Sequence, residues 1–105
     1  MNPEAQARNE AILAEVEQFG GGFVWESEIF AITLMDVSVS DQQALVLLGL
    51  SGVQQIAINV AQVSALVLNS IAQIPGLKSL VITGRSIESS ELSALQSLGP
   101  KIELV

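Results

Sequence analysis

The segment LKSLVITGRSI, residues 77–87, has a spacing of apolar residues that decides the fold of this chain. Apolar residues occupy its first, fourth, sixth and eleventh positions, which is neither the strict alternation of a strand nor the stripe of a helix. The segments VQQIAINVAQV, residues 53–63, and IFAITLMDVSV, residues 29–39, keep the same positions apolar, so the pattern recurs with a fixed period along the chain. The four apolar columns are Ile29, Val53 and Leu77; Ile32, Ile56 and Leu80; Leu34, Ile58 and Ile82; and Val39, Val63 and Ile87.

The second half of each unit repeats as well. Three more apolar columns follow at intervals of three residues, which places them on the inward side of a helix. A strand with a returning helix cannot bury its apolar side alone, so neighbouring units are predicted to stack into one continuous core. The helical columns are Ala44, Leu68 and Leu92; Leu47, Ile71 and Leu95; and Leu50, Ile74 and Leu98.

Capping residues predict where two of the returning helices begin. Ser40, with Gln43 three residues later, predicts a capping box at the start of the first helix. Ser89 or Ser90 is predicted to cap the third helix.

This arrangement resembles the leucine-rich repeat pattern LxxLxLxxNxL, and above all short bacterial leucine-rich repeat proteins in which a helix and a Gly-Gly turn precede the array. The resemblance implies an α/β fold: a short right-handed solenoid with parallel strands on its concave face, helices on its convex face and an N-terminal helix as a cap. It covers residues 29–105, in units 29–52, 53–76, 77–100 and a partial unit 101–105.

The ninth position of the pattern departs from the resemblance. In the family an Asn, Cys or Thr at this position caps backbone groups in the bend after the strand, whereas this chain has Val37, Ala61 and Arg85. We therefore expect another group, such as water, to satisfy these bends. The segment Gly84-Arg85-Ser86 falls on one of them and lacks the glycine spacing of a phosphate-binding loop, so we interpret it as a bend.

Residues 1–28 are predicted to cover the N-terminal end of the array, within the same single domain. Residues 3–19 have the pattern of an amphipathic helix that ends at Gly20, and FVWE, residues 23–26, that of a short strand. The apolar stripe of the helix is Ile12, Val16 and Phe19.

The composition excludes several classes of function. Four basic residues against eleven acidic ones give a net charge of −7, which opposes binding to nucleic acid or to an anionic membrane. The chain has no histidine, cysteine or tyrosine, so it lacks the commonest general base, the thiol nucleophile and the imidazole ligand. Glu88 and Glu91 lack the spacing of a calcium site and are predicted to lie on a solvated face. We predict a protein that is not an enzyme and has no catalytic, cofactor or metal site.

No apolar run approaches the roughly 20 residues of a membrane-spanning helix, and the polar N-terminus is unlike a signal peptide. A cytoplasmic location is therefore predicted.

The outward positions of the predicted strands form a small-residued, nearly uncharged strip on the concave face. Such a strip favours contact with a protein partner, whose identity the sequence leaves open. The residues predicted to bind it are Thr33, Met35, Gln55, Asn59, Ser79, Val81 and Thr83. On the convex side, Leu45, Val46, Leu66 and Val67 are surplus to the inward columns and either form an apolar patch or pack between helices.

The last predicted strand, KIELV, presents a second candidate surface. We place Leu104 in the fourth column of this partial unit. The bare edge of the strand invites pairing with another chain, so we expect either that the protein dimerises there or that the chain is a fragment of a longer repeat array. The residues of this predicted edge are Ile102, Glu103, Leu104 and Val105. A homodimer or other self-associating structural unit formed through this edge is therefore an alternative to the binding module.

A further alternative is a compact α/β regulatory domain. The stretch LGLSGVQQIAINVAQVSALVL, residues 48–68, resembles the strand–loop–helix of anti-sigma-factor antagonists, although the Asp-Ser phosphorylation site of that family is missing. A fold of this kind would destroy the repeating apolar columns.

Overall fold

The computed structural model describes residues 2–105, which contain four α-helices and five strands. A short 3-10 turn, Val46–Gly49, continues the second helix. The elements are α1 (Pro3–Gln18), β1 (Gly22–Trp25), β2 (Phe30–Ser38), α2 (Asp41–Leu45), β3 (Gln55–Asn59), α3 (Ala65–Ala72), β4 (Ser79–Thr83), α4 (Ser89–Gln96) and β5 (Lys101–Leu104).

The strands form one mixed sheet in the order β1-β2-β3-β4-β5. Strands β2 to β5 are parallel, whereas β1 pairs antiparallel with β2. The predicted α/β class is therefore confirmed, but the prediction of parallel strands is wrong for β1. The physical reason is the length of the β1–β2 connection: the N–H of Glu26 bonds the carbonyl of Ile29 at 2.8 Å, and so short a turn can only join antiparallel strands.

This hairpin also explains why one predicted apolar position is exposed. Ile29, placed in the first apolar column, lies in the turn and faces solvent. The next residue, Phe30, is buried, and its ring stacks on Trp25 with ring centroids 5.3 Å apart.

The register in the centre of the sheet aligns equivalent positions of successive repeat units. Ile32 lies opposite Ile56, and Ile56 lies opposite Leu80. Between β4 and β5 the offset is shorter, because Leu80 lies opposite Ile102 and not Leu104. The prediction that Leu104 takes the fourth column is therefore wrong. The segment between α4 and β5 is two residues shorter than the one between α3 and β4, so Ile102 reaches that position.

The helices follow the same period as the central strands. Ser40, Ser64 and Glu88 hold equivalent positions in the three units, and they are the N-caps of α2, α3 and α4. The predicted capping box is confirmed: the Ser40 hydroxyl accepts from the N–H of Gln43, whose side chain accepts from the N–H of Ser40. The predicted cap at Ser89 or Ser90 is wrong, because both serines already lie inside α4.

One continuous core lies between the sheet and the helices. Alternate strand residues point into it, and the inward helical columns meet them there. Its fully buried larger side chains are Ile32, Leu34, Leu47, Ile56, Ile58, Leu68, Ile71, Leu80, Ile82 and Leu95, together with Val16 and Val39. Among residues 2–105, no helix combines the length and the apolar composition that crossing a membrane requires.

Helix α1 ends as its sequence predicts. Gly20 has a φ of +92°, and the N–H groups of Gly20 and Gly21 bond the carbonyls of Glu17 and Val16. This pair of bonds is a Schellman motif, which requires a residue that tolerates positive φ. The predicted apolar stripe is buried at Ile12 and Val16 and half-buried at Phe19.

A buried amide ties α1 to the first unit. Asn9 is fully buried, and its side chain both donates to the carbonyl of Ser51 and accepts from the N–H of Ser51, each at 2.9 Å. These bonds satisfy two backbone groups in the connection that leads into β3.

Replacing Asn9 by Ala should lower the free energy of unfolding by about 2–3 kcal/mol, because both backbone groups of Ser51 lose their partner. Urea unfolding followed by circular dichroism measures the change. Asn69→Ala is the control: its amide bonds Gln73 at the surface of α3, and its removal should cost less than about 0.5 kcal/mol. Equal losses in the two variants would contradict the assigned role of Asn9.

Candidate binding surface

The helices pack against one side of the sheet, and the other side, here called the open face, is bare. Strand register arranges its side chains in two rows that each cross all five strands. The first row is Val24, Ala31, Gln55, Ser79 and Lys101, and the second is Gly22, Thr33, Ala57, Val81 and Glu103. Beyond them, Asn59 lies opposite Thr83.

The predicted partner-binding residues differ in how much of their surface is available. Thr33 and Gln55 are exposed. Val81 is only 7% exposed, so it is wrong as a residue that would contact a partner directly. It lies in the middle of the sheet between Ala57 and Glu103, and side chains on the flanking strands shield a β-branched residue at such a position. The remaining members, Met35, Asn59, Ser79 and Thr83, are half-buried.

Met35 stands outside the rows because β2 is irregular at this point. The register shifts between Leu34 and Ser38, so that Ser38 rather than Met35 lies opposite Asn59. An irregularity of this kind re-aims the side chains that follow it. Met35 therefore has no opposite residue on β3, and its contact with a partner stays a prediction.

Lys101 belongs to the open face, although the sequence pattern had not placed it there. It lies opposite Ser79 at the end of the first row and is exposed. If the pairing of β5 with β4 shifts by two residues, every side chain stays on the same face of the sheet. The alternation of Ile102 and Leu104 therefore fits both the predicted and the observed register. The one signal in the sequence is Lys101 itself, which the predicted register puts in the first apolar column after Ile29, Val53 and Leu77.

A depression of about 350 Å³ lies at the β1–β3 end of the open face. It forms where Ala31 and Ala57 have short side chains, beside the larger Val24 and Gln55. It has no ionisable group in its lining, so it fits an apolar side chain with polar groups at its rim. Its lining residues are Phe23, Val24, Ala31, Ile32, Thr33, Gln55 and Ala57. Phe23 and Val24 were missed because the sequence assigned β1 to the N-terminal cap.

The Gly84-Arg85-Ser86 segment is a bend, as predicted, and its arginine bonds the bend of the preceding unit. The guanidinium of Arg85 reaches back to the preceding unit and donates to the carbonyls of Val60 and Val63, each at 3.2 Å. In the bend after β3, the side-chain oxygen of Asn59 accepts from the N–H of Ala61 at 3.0 Å. Gly84, with a φ of +101°, leaves room for Asn59, which a Cβ at that position would strike.

Arg85 also pairs with Glu91 on α4. Both guanidinium nitrogens Nη1 and Nη2 donate to the carboxylate, at 3.1 and 3.0 Å. The hydrogen bond to Glu91 raises the pKa of Arg85 against the opposing effect of burial. The prediction that Glu91 lies on a solvated face is therefore wrong. Among the residues that the structure describes, no three acidic groups come together to form a metal site.

The predicted edge at β5 is partly available. Glu103, Leu104 and Val105 are exposed, with Leu104 at 46% and Val105 at 73% of their full surface. Ile102 is half-buried because its side chain packs against the core.

The predicted convex patch is present in altered form. Leu45 and Leu66 are exposed and are joined by Leu48, whereas Val67 is buried and Val46 half-buried against the core. The apolar patch stays a prediction for the leucines, whereas the valines contribute to the core.

Comparison of the chain with protein-family models, with curated proteins and with solved structures gave no match.

Replacing Arg85 by Ala should lower the free energy of unfolding by about 2–3 kcal/mol, because two carbonyls and a carboxylate lose a charged donor. Arg85→Lys should recover only part of this, since an ammonium lacks the planar fork that reaches all three groups. Denaturant unfolding measures both variants, with the exposed Lys78→Ala as control at less than about 0.5 kcal/mol. A loss for Arg85→Ala no larger than that of the control would overturn this role.

Proposed function

We propose that this chain is a small, non-catalytic binding module that recognises a protein partner through its open face. The proposal includes the architecture of a short leucine-rich-repeat-like solenoid capped by α1. Three observations support that architecture: the strands neighbour one another in chain order, their central register pairs equivalent positions of successive units, and the helix N-caps recur with the same period. These observations also favour it over a domain of the anti-sigma-antagonist type, which would not keep the columns.

The depression at the β1–β3 end is the observation that carries the proposed function. Its apolar wall at Val24 and Ala57, and the hydroxyl and amide of Thr33 and Gln55, suit one apolar side chain on a partner and polar contacts around it. The remaining residues of the two rows are small and uncharged up to β5. An extended segment of a partner can therefore lie across them without burying an unpaired charge. Its only charged members are Lys101 and Glu103.

The chemistry of the chain supports binding rather than catalysis. The chain lacks histidine and cysteine, and no ionisable group lines the depression. The guanidinium of Arg85 is occupied by carbonyls and by Glu91. The net charge of −7 likewise supports a protein partner over nucleic acid or an anionic membrane. The cytoplasmic location stays a prediction.

The experiment compares two Gln→Arg variants that change the charge equally. Gln55 lines the depression, whereas Gln42 is exposed on α2, on the helix side. Peptides selected from a displayed library on the wild-type chain should bind Gln55→Arg at least about tenfold more weakly, because a long cation then fills the depression. Their affinity for Gln42→Arg should be unchanged.

Chemical-shift mapping with one selected peptide locates the contact directly. Shifts concentrated on β1, β2 and β3 are expected. The proposed function would be contradicted by peptides that bind Gln55→Arg and Gln42→Arg with equal affinity, or by chemical-shift changes confined to α2 and α3.

A further inference from the structure

Strand β5 leaves one side of its backbone without a strand to pair with in the described residues. The N–H groups of Lys101 and Val105 bond the carbonyls of Lys78 and Ile82 on the β4 side, each at 2.9 Å. Because successive residues of a strand turn their N–H and C=O groups to opposite sides, Ile102 and Leu104 direct theirs outward. Within residues 2–105, the sheet order ends at this strand.

We propose that two copies of this chain pair antiparallel through the outer edge of β5, about a twofold axis that passes beside Ile102. This proposal is independent of the proposed partner on the open face. A twofold axis normal to the sheet keeps both helix layers on the same side. Two residues that lie opposite each other in antiparallel strands have their side chains on the same face of the sheet. The twofold axis must therefore pass beside one residue of β5, which then lies opposite its own copy, and it cannot pass between two neighbouring residues.

The charges of β5 select which residue lies at the centre. With the axis beside Ile102, Lys101 of each copy lies opposite Glu103 of the other, and the symmetry forms this pair twice. A centre at Glu103 would oppose two carboxylates, and a centre at Lys101 would oppose two ammonium groups. Opposite charges facing each other across strands stabilise pairing and like charges destabilise it, so the Ile102 register is favoured over those centred on its two charged neighbours, and it alone forms two opposite-charge pairs.

The other face of the strand fits the same register. Ile102 lies opposite Ile102 of the second copy, where the two residues exchange both backbone hydrogen bonds. Leu104, which is 46% exposed in the monomer, lies opposite Pro100 of the second copy, a residue already buried within its own chain. Leu104 donates its N–H to the carbonyl of Pro100, and the ladder ends there because proline has no N–H to return.

The end of the helix layer beside the junction of the two β5 strands carries no charged side chain. Helix α4 packs against β5, and its exposed residues from Ser93 to Ser97 are small or uncharged. Because Lys101 and Glu103 of one β5 complement Glu103 and Lys101 of another, the occupant that fits this edge is a second copy of the chain. Pairing would join the two five-stranded sheets and place both open faces on one side of the dimer.

A charge-reversal series tests the proposal by sedimentation velocity across a concentration range. Lys101→Glu should weaken dimerisation at least about tenfold, since both cross-strand pairs become repulsive. The double variant Lys101→Glu with Glu103→Lys should restore it. The control Lys78→Glu carries the same change in net charge at an exposed position before β4 and should leave the dimer intact.

A monomeric wild-type chain at high micromolar concentration would overturn the proposal. So would equal weakening by Lys101→Glu and Lys78→Glu, which would trace the effect to net charge alone.

Cysteine cross-linking tests the register itself, because the chain has no cysteine of its own. Ile102→Cys should form a disulfide-linked dimer under mild oxidation, since paired Cα atoms about 5.5 Å apart lie within disulfide range. Glu103→Cys should cross-link far less, because its symmetry mate is displaced along the strand. Preferential cross-linking through Glu103→Cys would overturn the Ile102-centred register.

Discussion

A short strand with one apolar side cannot bury that side by itself. In this sheet each such strand depends on the next, so Ile56 is buried between Ile32 on one side and Leu80 on the other. The repeat that sets their alignment also sets the spacing of the returning helices and their caps. The bends that follow neighbouring strands then lie close together. Arg85, in the bend after β4, therefore reaches the bend after β3 and donates to the carbonyls of Val60 and Val63.

The surfaces available for function are those that this register leaves without a partner. Alternation turns the isoleucines toward the helices and forces Thr33, Gln55 and their row neighbours outward, where no helix covers them. The short side chains of Ala31 and Ala57 leave a depression at one end of that face. At the other end Lys101 and Glu103 add the charged members of the two rows, on the last strand of the sheet among residues 2–105.

The residues placed best by the sequence are those governed by local periodicity. The inward columns, the capping box at Ser40 and the helix end at Gly20 depend on neighbours within a few residues along the chain. Val81 was assigned to the correct face, but its burial depends on side chains from two other strands. The apolar pattern does not reveal the irregularity that follows Leu34, which leaves Met35 without an opposite residue on β3.

The sequence by itself determined the repeat, the side of each central strand that faces the core and the absence of the side chains that most catalytic sites need. Tertiary structure alone decided the antiparallel hairpin of β1, the shortened register of β5 and the partners of Arg85. Periodicity is a local property and is unchanged when a strand slips by two residues, so it cannot specify which residues meet across the sheet. Lys101 enters the open face, and Arg85 reaches the bend of the preceding unit, only because the packed layers bring those positions together.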